Sequence, residues 1–142
     1  MAGRAKRKKM NVFLSHSHRD REFARRLSNE LAGLGFEVWD ETQIIPGTNW
    51  GLEVGRALDQ SDAMIVLISP DYVASESARR ELEYALVTPK YAGRLIPVLL
   101  KPTGNVPWVL NRIQWLDATQ DREGVSKRIA EALRASREVC KS

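Results

Sequence analysis

Side chains able to do chemistry gather at four places along the 142 residues: Ser15-His-Ser-His18, Asp40-Glu41, Ser69, and the stretch Ser75 to Glu81. Each follows a short apolar run, so each would sit where a strand ends. Open α/β sheets bind ligands outside the carboxyl ends of their strands, at the point where strand order reverses. Together the four clusters describe a polar crevice with a carboxylate near the start of a helix. Several other chemistries are not expected. The turn Leu14-Ser-His-Ser-His-Arg19 has neither the G-x-G-x-x-G of a dinucleotide fold nor a Walker lysine, so it offers no phosphate cradle of either kind. A phospho-accepting receiver domain would need acids after the first run and an aspartate ending the third, where this chain has Ser15-His16 and Ser69. His16 and His18 are the only histidines and Cys140 the only cysteine. No metal set and no disulfide framework can be built from them.

The elements that must position these clusters alternate between apolar runs and helical periods. Asn11 to Ser15 reads as a strand. Phe23, Leu27, Leu31 and Leu34 then recur at helical spacing, a buried stripe on one face. Ser17 with Asp20 three residues on reads as a capping box opening that helix, and Gly33 or Gly35 closes it. Phe36 to Asp40 is a second strand, followed by a loop with the turn signal Pro46-Gly47. A helix from about Asn49 to Gln60 follows, with Val54, Ala57, Leu58 and Trp50 as candidates for burial. Ala63 to Ser69 is apolar almost throughout, as a strand covered on both faces should be. Ser69-Pro70-Asp71 reads as a cap with proline at the first helical position, and helical segments run to about Val87, where Thr88-Pro89 ends them. Arg94 to Leu100 is a fourth apolar run, although Pro97 lacks the donor that a central strand needs. Ile113 to Leu116 is a short fifth strand, and Val125, Ile129 and Leu133 stripe a last helix. Strands alternating with helices imply right-handed βαβ units and a mostly parallel, doubly wound sheet.

Composition bounds the function further. Five of the 22 basic residues fall in residues 1–9, leaving 17 against 18 acids, so the net charge of +4 becomes −1 for the rest of the chain. The basic character is therefore a leader, expected to be disordered, and not a property of the domain at residues 10–137. A short tail, 138–142, follows. No basic stripe interleaved with aromatics appears, which argues against nucleic-acid binding. No apolar run approaches the roughly 20 residues of a membrane span, and the start lacks the apolar stretch of a signal peptide. A cytoplasmic protein is expected.

The order of motifs resembles a Toll/interleukin-1 receptor (TIR) domain of the bacterial type. Asn11-Val-Phe-Leu-Ser-His-Ser17 resembles its first-strand box, and Gly35-Phe-Glu-Val-Trp-Asp40 its second strand. Ile45-Pro-Gly47, with Trp50 three residues on, resembles the BB loop. Ser61-Asp62 leads into Ile65-Val-Leu-Ile-Ser-Pro70; Ser75 with Glu81-Leu82 resembles the helix carrying the family's catalytic glutamate; Arg94-Leu-Ile-Pro-Val98 resembles its fourth-strand box. The match covers about residues 10–135, and the family tolerates proline in the fourth strand.

The resemblance implies a flavodoxin-like fold with five parallel strands in the order 2-1-3-4-5. It also implies one of two activities: cleavage of NAD+ at the nicotinamide–ribose bond by hydrolysis or cyclisation after self-assembly, or adaptor work through TIR–TIR contacts without chemistry. NAD+ would be the substrate, with no separate cofactor. A role in bacterial immune signalling through a separate effector chain is implied by resemblance alone. Glu81 would be the catalytic carboxylate; by position alone it is equally a favourable acid in the first turns of a helix. Ser15, His16 and Ser17 would line the pocket, with helix capping as their bland alternative. Asp40 and Gln43 could reach the ribose or diphosphate, or be solvated loop residues. Trp50 could stack on a ring or belong to the core, and Ser75 could line the pocket or cap its helix. Ile44, Ile45, Pro46 and Gly47 would form the assembly loop. Catalytic members often carry a tryptophan four residues before the glutamate, where this chain has Ser77. An aromatic wall for nicotinamide would then fall to Tyr72 or Tyr84, or be absent. A nucleoside-handling transferase with a related crevice and glutamate is a third reading.

Overall fold

The computed structural model describes residues 9–141. Residues 1–8 of the basic leader and Ser142 of the expected tail lie outside the described residues. Strands β1 (Asn11–Ser15), β2 (Glu37–Trp39), β3 (Ala63–Ile68), β4 (Leu95–Leu99) and β5 (Leu116–Asp117) form one parallel sheet in the order β2-β1-β3-β4-β5. Helices α1 (Arg21–Gly33), α2 (Trp50–Gln60), α3 (Pro70–Ala74), α4 (Glu76–Leu86) and α5 (Val125–Lys141) cover it. The flavodoxin-like expectation holds in strand order and direction. The last helix runs through Lys141, into the stretch read as a tail.

Alternation along the strands sorts the core into two layers. Val12, Leu14, Ile65, Leu67, Ile96 and Val98 face α1 and α5, meeting Leu27, Leu31, Ile129 and Leu133. Phe13, Met64, Val66, Ile68 and Leu95 face the other way, meeting Val54, Leu58, Tyr72, Leu82 and Tyr91 from α2, α3, α4 and the 3-10 turn Pro89–Tyr91. β3 is buried at every position, which is why its sequence shows no polar alternation.

Pro97 lies inside β4, paired with Val66 of β3. Leu100 N–H bonds back to Ile68 of β3, whereas the Leu99 carbonyl accepts from Ala118 beyond β5. Odd-numbered residues of β4 therefore point toward β5, and β5 begins pairing only at Val98. The donor that proline lacks falls where no partner strand yet runs, so the strand tolerates it.

Three local expectations are corrected. The fifth strand is Leu116–Asp117, not Ile113 to Leu116. Ile113 closes the 3-10 turn Trp108–Arg112, and Trp115 Nε1 donates to the Leu110 carbonyl, so pairing with β4 starts only at Leu116. The capping box does not form. Ser17 caps a 3-10 turn, His18–Asp20, and α1 starts after it at Arg21. Asp20 turns inward and accepts a hydrogen bond from Ser69 Oγ at 2.6 Å, tying the β1 turn to the end of β3. Trp50 is not core: it is 43% exposed, while Val54, Ala57 and Leu58 carry the buried face of α2. Gly35, at φ +101°, closes α1, a backbone angle that side-chain-bearing residues adopt at a cost.

Candidate active site

Glu81 stands in the second turn of α4, against the carboxyl end of β1. Ser75 caps that helix, accepting from Ala78 N at 3.3 Å, and Leu82 and Ala85 press its inner face onto the sheet. The helix is thus fixed in rotation, with Glu81 buried at 8% exposure and Glu83 in solvent. Two positions on a helix differ by about 200°, so Glu83 cannot share the site.

Ser15, the last residue of β1, places its Oγ 2.7 Å from Glu81 Oε1 and 2.9 Å from the Tyr72 hydroxyl. Tyr72, in α3, also donates to the Ala78 carbonyl at 3.2 Å. Burial pushes the Glu81 carboxyl up to about 7; Ser15 donating to the ionised form opposes this, and the Glu41 charge adds to it. A carboxyl removed from water without a full charge partner holds its proton more tightly. Burial likewise pushes the Tyr72 phenol up, with the Ser15 hydrogen bond opposing it.

His16 follows Ser15 and is buried. Its Nδ1 lies 2.8 Å from the Ser17 carbonyl, which places a ring hydrogen on Nδ1. Nε2 is buried without a hydrogen-bond partner among the described residues. Such an atom carries a desolvation cost that a ligand donor would relieve. Ser15 and Glu81 are thus in contact at the carboxyl end of β1, and His16 follows directly in the turn beyond that strand.

The remaining residues have other partners. Ser17 Oγ accepts from Arg19 N at 3.2 Å. Asp40 is buried and accepts from Thr42 N at 2.8 Å and from the Thr42 hydroxyl, which caps the 3-10 turn Glu41–Gln43. Gln43 turns back to donate to the Val38 carbonyl at 2.9 Å. Trp50 lines a hollow of about 580 Å³ with His18, Arg21, Arg25 and the BB-loop residues Ile44 to Gly47. Glu41 lines this hollow, and its charge also acts on Glu81. Ile45 is 69% exposed at the loop tip beside Pro46, whereas Ile44 packs partly into the core. Gly47, at φ +92°, permits the turn in which Thr48 N bonds Ile45 O.

Neither tyrosine provides an open aromatic wall. Tyr72 is 1% exposed, and Tyr84 packs edge-on against Tyr91 with centroids 6.4 Å apart. Two contributors were not singled out from sequence: Tyr72 as a hydroxyl partner of Ser15, and Glu41 as the charge beside Glu81. Ser15 and Tyr72 are 57 residues apart, a separation that carries no periodic signal. Glu41 had a faint one, directly following Asp40 at a strand end.

Comparison with known proteins identifies the family of the fold. A family model of the TIR domain matches residues 12–136. A curated relative from Theionarchaea archaeon (strain DG-70-1), NAD(+) hydrolase TcpA, is 33% identical over 92 residues. That stretch is 62% of this chain and 28% of the relative, so the chain spans less than a third of its length. The TIR domain of the Toll-related receptor TRR-2 from Hydra magnipapillata superposes with a TM-score of 0.71 at 26% identity, covering 89% of this chain and 97% of that one. The TIR domains of the activated Roq1 resistosome share the fold, with a TM-score of 0.56 at 23% identity over 92% of this chain and 85% of that one. Among the described residues, no helix is long and apolar enough to cross a membrane. With its motifs, its strand order and the match to residues 12–136 in agreement, this chain belongs to the TIR domain family.

Proposed function

We propose that this chain cleaves the nicotinamide–ribose bond of NAD+, by hydrolysis or cyclisation, with Glu81 as the catalytic carboxylate. The observation that carries this is a buried glutamate held by Ser15 at the carboxyl end of a strand in a parallel sheet. The naming of the relative as an NAD(+) hydrolase supports it. Nicotinamide departs as a neutral group from a cationic nitrogen, so the step asks little of a general acid. The difficulty is the positive charge that develops on the ribose, as in glycoside cleavage. A fixed carboxylate in a site closed to water stabilises that charge as it forms. His16 Nε2 accepts from a substrate hydroxyl or amine in this reading. The diphosphate falls in the hollow beside Arg21 and Arg25.

Self-association belongs to the same proposal. Glu81 and Ser15 are almost wholly buried in the single chain, so substrate entry requires the site to open, and in this reading a second copy packing on the exposed loop at Ile45 and Pro46 opens it. A cytoplasmic setting, a part in bacterial immune signalling and an effector on another chain complete the proposal.

The test is nicotinamide release at high protein concentration on beads, comparing the native chain with Glu81→Ala and Glu83→Ala. Release from the native chain and Glu83→Ala alone places the carboxylate at Glu81. Equal release from Glu81→Ala would sink the assignment. Pro46→Asp should reduce self-association and activity together. A second reading, an adaptor without chemistry, is favoured by Ser77 standing where catalytic members often carry tryptophan. No nicotinamide release under any assembly condition would favour it.

A further inference from the structure

Three oxygen contacts run in series from the first turn of α4 to its second: Ala78 O to Tyr72 Oη at 3.2 Å, Tyr72 Oη to Ser15 Oγ at 2.9 Å, and Ser15 Oγ to Glu81 Oε1 at 2.7 Å. Each needs one hydrogen between its oxygens. A hydroxyl brings one and an ionised carboxylate none. With Glu81 ionised, two hydrogens serve three contacts. Ser15 donates to the carboxylate, and Tyr72 must then choose between Ala78 and Ser15, leaving one pair of oxygens bare. With Glu81 protonated the count closes: Glu81 donates to Ser15, Ser15 to Tyr72, and Tyr72 to the Ala78 carbonyl. Tyr72 and Ser15 are each 1% exposed, so bulk water does not make up the deficit, and an unmet contact at such depth is costly.

We propose that Tyr72 is a positioning residue that, acting through Ser15, holds Glu81 as a neutral acid turned inward, out of use, until this chain of contacts parts. The reaction needs a carboxylate to face a developing cation, and a neutral acid does not serve. The value of the device to the protein rests on the NAD+-cleaving reading; the device itself does not. The other ionisable groups around Glu81 do not supply the missing hydrogen. Glu41, from the turn after β2, adds negative charge, which acts in the same direction. His16 Nδ1 is bonded to the Ser17 carbonyl and its Nε2 has no partner among the described residues, and Asp20 is bonded to Ser69. On α4 itself Arg80 pairs with Glu76 in solvent, and Arg79 and Glu83 are exposed. The direction in which burial moves the Glu81 carboxyl agrees with the hydrogen count.

Tyr72→Phe keeps the ring in the core and removes only the oxygen. The reading is the ionisation midpoint of Glu81 in the whole chain, followed by carbon NMR of labelled glutamate and identified by its loss in Glu81→Gln. The midpoint should fall by about one pH unit, the worth of one neutral hydrogen bond. A tyrosine that merely shields Glu81 from water would do the reverse, since losing its oxygen leaves the site more apolar. An unchanged or higher midpoint overturns the proposal. A second comparison tests the route. In a Ser15→Ala background, adding Tyr72→Phe should leave the midpoint where Ser15→Ala put it, because the link is already cut. A further fall there overturns action through Ser15. Nicotinamide release, followed against pH in parallel, separates the two claims. A lowered midpoint with no nicotinamide from any variant leaves the device standing and removes the NAD+-cleaving reading. Nicotinamide release with an unmoved midpoint does the opposite.

Discussion

The two ends of the sheet have opposite characters. At the carboxyl end, Ser15, Tyr72 and Glu81 are drawn together by hydrogen bonds and almost sealed from solvent. At the amino end, between α4, the starts of β4 and β5, and α5, lies a cleft of about 680 Å³ lined by Leu86, Val87, Tyr91, Leu95, Ile113 and Leu116. The larger space is thus at the end with little chemistry. A search by cavity size, a reasonable default for ligand sites, would choose the apolar end. The polar end is recognised by convergence of titratable and hydroxyl groups instead. Each end also contains a buried phenol. Tyr91 donates to the Leu58 carbonyl at 2.6 Å and ties the turn after α4 to α2, whereas Tyr72 donates to the Ala78 carbonyl and shares a hydrogen bond with Ser15 at the site. The same residue type, buried to the same degree, is a structural tie in one place and a partner of the carboxyl in the other.

The sharpest way to break the comparison is to exchange chemistry for shape at the polar end. Glu81→Gln should lower nicotinamide release by about 10²–10³-fold, the scale of losing one key electrostatic partner of a transition state. At about pH 4, where the native carboxyl is neutral, melting should change little, because the amide fills the same space. Next is the dependence of stability on pH. Glu81 is raised from 4.5 to about 7 on folding, so the folded chain binds more protons than the unfolded chain between those values. Its stabilising contribution is full below the unfolded value and is lost as pH rises through the folded one. The native chain should therefore lose roughly 3 kcal/mol relative to Glu81→Gln between pH 4 and pH 8, measured by urea unfolding across that range. A flat difference would mean that the carboxyl is ionised in the folded chain. At the apolar end, Leu95→Ala should cost about 2–3 kcal/mol of stability with nicotinamide release per folded molecule unchanged. The smallest expected effect is at the helix cap. Ser75→Ala should cost about 1 kcal/mol, read by thermal melting, and a much larger loss of activity than of stability would move Ser75 from cap to pocket.

Much of this was legible in the sequence because the fold follows from periodicity. β3 announced itself by uninterrupted apolar residues, α1 by Leu27 and Leu31 at helical spacing, and α3 by Ser69-Pro70. Glu81 could be placed because strand ends and helix starts fix the edge of the sheet. The illegible parts are those in which a side chain had a choice of partner. Asp20 stood at the right distance to complete a cap with Ser17 but found Ser69, 49 residues away, and a buried partner outweighed the local one. Asp40 did the reverse, bonding Thr42 two residues on, a turn contact that the two readings of it, ligand or solvated loop residue, did not include. Trp50 looked like core because tryptophan usually is, yet its position in the first turn of α2 points it at the loop hollow. Trp115 capped a turn with its indole and so shortened the fifth strand, an outcome set by one side-chain hydrogen bond.

The edges of the sheet bear on how copies of this chain can meet. β2 has three residues and β5 two, and the proline in β4 further limits the ladder beside β5. Edges this short offer almost nothing for a neighbouring strand to zip onto. Any assembly must then be made by loops and helix faces, through side-chain contacts that separate as readily as they form. Strand addition along an open edge would make such contacts far harder to undo.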